Sequence, residues 1–493
     1  MNNLPQEIVD HVVSFLPLRY VDIDGCPLAP LAAVSLKFQM AVERRTFSNI
    51  YIKTTEENID EFERIWSPRR RSHLRSLVIT LIVSRFCPQD LPKSYGYSQV
   101  DMEATLAPLR RLWNLLSSAW REMDLDGGNV EFTLWNIPPE QESKVLQRYP
   151  FPPLDLTAGA ESFPALPFIR KFEILDGSYY FHPRTPVVLV SSMPNLESVS
   201  WKLEEAPRGW GRYYSIDKHW RDELIHTIKT TYLPESVKDF YCELPRPFDL
   251  RITQALPKFI ENGTPDPLSR AMRELTRHCE DITLKGSFGP SLFDPPISAP
   301  EAEEQPCWQN TTRFRVRMAI SCPDGSWLFK PQGRFRNDNL HDGLLNCTQL
   351  PPGYGDTEQE REAAFQYFKN HPEALDISRY PPGRTFVVPD DEKLNTFLIA
   401  FARCCARMPT LKIARFEIGD IWWYARLMCD WPIVVCVAPF CDSDDYTWDK
   451  MYPSSSWVVY LRVGSWRPSG TTFAAFENIG AERSGRPSII EFV

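Results

Sequence analysis

The sequence predicts an α/β fold assembled from many short elements, and three observations carry that expectation. A pattern of apolar residue, two residues, apolar, one residue, apolar recurs along the chain. It reads LRSLVI (Leu74, Leu77, Ile79), IRKFEI (Ile169, Phe172, Ile174), LESVSW (Leu196, Val199, Trp201), VKDFYC (Val237, Phe240, Cys242), CEDITL (Cys279, Ile282, Leu284) and IARFEI (Ile413, Phe416, Ile418). Each copy has the period-two alternation of a strand entered from a turn. Segments of helical period stand between the copies: 102–123, with Leu106, Leu109, Leu112, Leu116 and Trp120 on one side, then 218–231, 268–278 and 394–407. Finally, the 44 prolines are spread over all 493 residues, which favours short elements joined by defined turns over long helices. Strands alternating with helices imply a mostly parallel sheet or a solenoid.

Composition narrows the classes. Hydrophobic residues make up 43% and charged residues 24%, the balance of a globular chain. The length calls for two or three units rather than one. With a formal net charge of −9 there is no global basic field to grip nucleic acid, so no nucleic-acid partner is expected. No apolar run approaches the ~20 residues needed to cross a bilayer, so no membrane partner is expected either. The twelve cysteines form no CxxC pair and are expected to be reduced thiols. An intracellular protein, cytoplasmic or nuclear, is expected.

The opening stretch, LPQEIVDHVVSFLP, carries Glu7, Asp10 and His11, so it reads as folded structure and not as a signal peptide. Pro5 suits a first helical turn. Ile8, Val12, Phe15 and Leu16, joined by Val9 and Val13, make an apolar stripe wide for three turns. A short segment at 28–33 and a second amphipathic helix at about 35–45 follow, the latter with Phe38, Val42 and Phe47 on its apolar side. Helices this short cannot bury so much apolar surface among themselves. The stripe must therefore dock on the rest of the chain or on another protein.

These residues resemble the F-box. The LPxEI start, an apolar helix ending FLP, and LxxLAxVS followed by Phe38 together span residues 4–50. The resemblance implies docking on the Skp adaptor of an SCF-type (cullin–RING) ubiquitin ligase. It implies adaptor contacts at Leu4, Pro5, Ile8, Val12, Leu16, Leu31, Val34 and Phe38. The recurring strand pattern is in turn similar to an irregular leucine-rich-repeat solenoid, with starts at 74, 169, 196, 237 and 279. The combination resembles fungal F-box proteins with a repeat-like C-terminal region. The expected organisation is an F-box-like helical module at 1–52 and a repeat-like region at 53–288. A linker or long loop rich in proline and acid follows at 289–306, then the second half of the repeat-like region at 307–493.

Catalytic chemistry finds no motif: there is no GxGxxG after a strand, no GxxxxGK[ST], no GxSxG and no HExxH. His219 and His226 lie two helical turns, ~10 Å, apart, too far for one metal site. Asp442, Asp444 and Asp445 lack the glycine and glutamate of a calcium loop. The run PRRRSHLR (68–75) reads as a turn before the first strand, and Cys404 and Cys405 as core thiols in mid-helix. No cofactor, no metal and no enzymatic activity are expected. Among the aromatics, Trp210, Tyr213 and Tyr214 in a glycine-bearing loop are the candidate target-binding residues, because tryptophan and tyrosine dominate interface energetics. The expected function is a substrate receptor that brings an unknown target protein to the ligase. The alternative is a non-ligase scaffold whose F-box-like helices only cap its own solenoid. An enzyme would have to gather groups such as His219, Asp442 and Cys404 in one pocket.

Overall fold

The computed structural model describes residues 4–16, 28–83, 99–121, 128–137, 154–156, 163–175, 181–203, 214–244, 258–261, 263–293, 308–319, 321–326, 328–331, 387–418, 433–439, 456–464 and 466–492. It opens with three helices, α1 (Gln6–Ser14), α2 (Ala29–Ala32) and α3 (Leu36–Thr46). Pro5 is the N-cap of α1 rather than part of its first turn. Ser35 caps α3 through its hydroxyl, which accepts from the Phe38 N–H. Val9, Val13, Leu28, Phe38, Ala41 and Val42 close a small core of their own, distinct from the main one.

The chain then enters the sheet at β1 (Asn49–Lys53). The helical module expected at 1–52 therefore ends sooner: the alternating run NIYIK turns Ile50 and Ile52 toward the main core and pairs in parallel with the next strand. There follow α4 (Glu56–Ile65), α5 (Pro68–Arg71), β2 (Ser76–Ile82), α6 (Gln99–Arg121), β3 (Val130–Ile137), β4 (Ile169–Leu175), α7 (Arg184–Ser191), β5 (Ser198–Lys202), α8 (Tyr214–Thr230), β6 (Asp239–Glu243), α9 (Pro267–Leu275) and β7 (Asp281–Gly286). The remainder holds β8 (Arg313–Met318), β9 (Phe329–Pro331), β10 (Val387–Pro389), α10 (Asp391–Arg407), β11 (Ile413–Ile418), β12 (Ile433–Pro439), β13 (Trp457–Arg462), α11 (Gly470–Ser484) and β14 (Ile489–Phe492).

Twelve strands form one open sheet in the order β1-β2-β3-β4-β5-β6-β7-β8-β11-β12-β13-β14, and β9 and β10 pair as a separate antiparallel ribbon. All neighbours are parallel except β12, which runs antiparallel to β11 and β13. The fold is thus mixed α/β with a mostly parallel sheet.

Register explains why the recurring pattern folds this way. The middle apolar position of the first five copies joins one ladder, Leu77–Phe132–Phe172–Val199–Phe240–Ile282–Phe314, and the last position joins a second, Ile79–Leu134–Ile174–Trp201–Cys242–Leu284–Val316; in the sixth copy the register is shifted, and the middle residue Phe416 pairs with Val316. Both ladders are buried against the helices in one continuous core. Trp113 of α6 meets Phe132 edge-on at 5.5 Å, and Phe401 of α10 lies 5.4 Å from Phe416. Because the side-chain period of a strand is two, the intervening residues point to the other face, and β5 and β7 alternate strictly between buried and half-buried positions.

The segment expected to be a linker from 289 begins as packed structure. Pro290–Leu292 form a single 3-10 turn, and Leu292 and Phe293 are fully buried, with Phe293 5.5 Å from Phe401 and 5.9 Å from Phe416. Residues 294–307 lie outside the described residues. Since β7 pairs directly with β8, the regions on either side of this segment share one sheet.

Candidate docking surface

The N-terminal module is built from an α1 whose apolar residues fall on two neighbouring lines. Val9 and Val13, four residues apart, face α3 and are buried. Ile8 and Val12, one position earlier, remain 48% and 46% exposed, and Leu4 precedes them at the same four-residue step, 40% exposed. Pro5 is exposed beside them. Val34 (50%) and Leu36 (64%) add to the exposed apolar set at the start of α3. Leu16 and Leu31 are half-buried against the module core. Of the eight positions expected to touch an adaptor, the structure leaves five exposed, on the first helix or just ahead of the first and third, and two half-buried against the module core. Phe38 is the exception. Its side chain lies with Ala41 and Val42 on the inward line of α3, so it supports the module from within instead of meeting a partner directly.

Phe15 and Leu36 were not singled out as contacts, yet Phe15 is 74% exposed beside His11, with the rings edge-on at 4.7 Å. Helical spacing from Leu4 would have found Phe15, at i+11. Nothing in the local pattern marks Leu36, which follows the cap residue directly.

Polar bonds hold these helices together. Gln6 Nε2 donates to the Lys37 carbonyl (3.1 Å) and Lys37 Nζ to the Leu4 carbonyl (2.7 Å), while Arg44 pairs with Asp10 and Arg45 donates to the Val13 carbonyl. The module is clipped to the rest of the chain through Glu43, which receives Arg69 at 3.1 Å and Arg70 at 3.3 Å from α5. Arg70 also lies 4.7 Å over the Phe47 ring. The basic run at 68–75 is therefore a structural clip, its Arg71 donating to the carbonyls of Trp66 and Ala119.

The second surface is the outward face of the sheet, and it is polar. Cross-strand pairs cover it: Lys171–Glu131 at 2.6 Å, Lys202–Glu173 at 2.7 Å, Lys285–Glu243 at 3.1 Å and Arg317–Glu417 at 2.9 Å. Tyr241 sits between Lys202 and Lys285, whose ammonium groups lie 5.7 and 4.9 Å from its ring. Of the target-binding candidates, Trp210 and Tyr213 lie outside the described residues. Tyr214 opens α8, but its side chain lies outside them too.

Among the described residues, the sequence candidates are not brought together in a catalytic pocket. Among the described strands, order follows chain order without reversal, so the crevice at a strand-order switch, where doubly wound sheets hold ligands, does not arise. His226 is exposed on α8, the side chain of His219 and residues 441–446 lie outside the described residues, and Cys404 and Cys405 are buried in α10. Burial pushes the Cys405 thiol well above its ordinary pKa and that of Cys279 up to about 12, the opposite of an activated nucleophile. Among the described residues no group of three or more His, Cys, Asp or Glu is placed to hold a metal ion, and no helix is long and apolar enough to cross a membrane. Comparison with family models, curated proteins and solved structures finds no match to this chain.

Proposed function

We propose that the chain is a substrate-receptor subunit of an SCF-type ubiquitin ligase. Helices α1–α3 act as an F-box-like module that docks on a Skp adaptor. The sheet region, in this reading an irregular leucine-rich-repeat-like solenoid, holds a target protein. Parallel strands laid down in chain order, with helices packed on their apolar side, support the solenoid reading. The mechanism is proximity: the receptor raises the target's effective concentration beside a charged ubiquitin-conjugating enzyme inside the cell, and no residue of this chain reacts.

The observation that carries the reading is the uncovered apolar line Leu4, Ile8 and Val12. Complete burial of such a side chain stabilises by about 1.5–3 kcal/mol, so a half-exposed one retains about 1 kcal/mol to gain on docking. The scaffold alternative needs Leu4 and Ile8 covered by the chain's own later residues, and their exposure favours the receptor. The test is co-purification of the full chain with a Skp adaptor, beside the double variant Pro5→Asp with Ile8→Asp. The expected result is capture of the adaptor by the wild type and loss by the variant, whose circular dichroism stays unchanged because both positions are exposed. A well-folded wild type that captures no adaptor overturns the proposal in favour of the scaffold.

A further inference from the structure

We propose that the outward face of β7, β8 and β11 is a docking site for an acidic peptide segment of a partner protein, centred on Arg315. The inference rests on reading this face as the target-binding side of the receptor, but its test does not pass through the adaptor. Strand β8, TRFRVRMAIS in the sequence, places Arg313, Arg315 and Arg317 on the outward face at successive period-two positions, while Phe314, Val316 and Met318 enter the core. The three arginines span about 13 Å along the strand, the reach of an extended peptide of about five residues. Arg415 of β11 stands in direct register with Arg315.

Among the described residues the carboxylates on this patch are unevenly shared. Arg313 pairs with Asp281 at 2.7 Å, and the single carboxylate of Glu417 serves both Arg317 and Arg415. Arg315 is exposed, and among the described residues no carboxylate is paired with it. Two arginines directly opposite one another, Arg315 and Arg415, and a lysine opposite an arginine, Lys285 and Arg317, are like-charge pairs of the kind that destabilises a sheet. An anion bridging Arg315 and Arg415 would relieve that repulsion. The guanidinium fork suits the planar, bidentate capture of a carboxylate or of a phosphate.

A peptide fits better than a nucleic acid. Asp239, Asp281, Glu243 and Glu417 lie on the same face in the strands around the arginines. A continuous phosphate track would run onto these carboxylates, whereas a short acidic segment meets the arginines alone. Carboxylate and phosphoserine share this chemistry, and the experiment separates them.

The probes are fluorescent peptides of about eight residues: one rich in Asp and Glu, one with phosphoserines in place of the acids, and one neutral. An oligouridine of similar length is the nucleic-acid arm. Each is titrated by anisotropy against the full chain, its Arg315→Glu variant and, as a control on the same face, Lys171→Ala. The expected result is binding of an acidic peptide that weakens by at least about tenfold in Arg315→Glu, holds in Lys171→Ala and falls with salt. Binding of the Asp/Glu peptide assigns carboxylates, and binding of the phosphorylated one alone assigns phosphate. No binding of either, equal binding by Arg315→Glu, or tighter binding of the RNA at the same residues overturns the proposal. Arg315→Gln serves as a second variant that keeps a polar side chain should the glutamate disturb the strand.

Discussion

Asp266 is a buried acid with several partners, and removing it gives a sharp test of how the helical layer is tied to the sheet. Its carboxylate caps α9 by accepting from the N–H groups of Leu268 (3.3 Å) and Ser269 (3.2 Å), and it also accepts from the Gly289 N–H at 3.3 Å. Arg221 of α8 reaches both its oxygens, at 3.1 and 3.0 Å, and donates to the Ser287 carbonyl just beyond β7. The side chains are 3% and 0% exposed, so solvent cannot take over when one is lost. Asp266→Ala removes the cap, about 1 kcal/mol, and strands a buried guanidinium; breaking such a pair costs about 3–5 kcal/mol in all. Replacing both partners, with Arg221→Met added, removes the stranded charge and returns part of that loss. The assay is urea denaturation followed by tryptophan fluorescence on the two single variants and the double. A cost below about 1 kcal/mol for Asp266→Ala, or simple additivity in the double variant, would refute the claim that the pair is desolvated and coupled.

Three further outcomes follow from local geometry. Val9→Ala, which empties a buried position in the small N-terminal core, lowers stability by about 1–3 kcal/mol, whereas Ile8→Ala one residue earlier leaves stability within about 0.5 kcal/mol and weakens adaptor capture; thermal unfolding and pull-down on both variants read the contrast. Burial holds the His278 imidazole below its ordinary pKa, and its Nε2 lies 3.2 Å from the Pro234 carbonyl, which can only accept. The unfolded chain therefore protonates first on acidification, so the contribution of His278 is full above about pH 6.5 and is lost as pH falls through the lower folded value; His278→Gln should flatten that part of a stability–pH curve. A Cβ added at Gly480 would come 2.6 Å from both the Arg486 carbonyl oxygen and the Ser488 nitrogen, backbone atoms that cannot step aside singly, so Gly480→Ala costs about 1–3 kcal/mol and loosens β14 in hydrogen exchange.

The strands that carry the recurring pattern were legible because their apolar residues sit at a period that admits one face only. Residues 74–79 and 279–284 each read as a strand and each became one, β2 and β7. The helices α6, α9 and α10 were legible for the same reason at period 3.6. Strands β1, β3, β10 and β14 were not anticipated. NIYIK was absorbed into the helical module before it, VEFTLWNI lacks the apolar entry residue of the other copies, and IIEF is only four residues long. The split of the α1 stripe was beyond the sequence altogether. Hydropathy sees Ile8, Val9, Val12 and Val13 as one face, and only the position of α3 decides which of two adjacent lines is covered. The arginine cluster was half visible. Alternation in RFRVRM put three arginines on one face, but the register that sets Arg415 opposite Arg315 joins residues a hundred positions apart.

Two local features run against stability, and they coincide with the two surfaces assigned to partners. An isolated protein gains by covering Leu4 and Ile8, and it gains by placing an acid opposite Arg315. On the same sheet face that solution is used repeatedly, as with Lys171 opposite Glu131 and Arg317 opposite Glu417. Where a chain satisfies a rule at many positions and breaks it at a few, the exceptions call for a compensating gain, and the uncompensated sites in a fold are where function is sought. Apolar exposure on α1 and α3 is offset by a partner that buries it, and charge excess on β8 and β11 by a partner that neutralises it. The two predicted gains differ in kind, so salt separates them: adaptor capture through the apolar line should persist at high ionic strength, whereas acidic-peptide binding at Arg315 should fade over the same range.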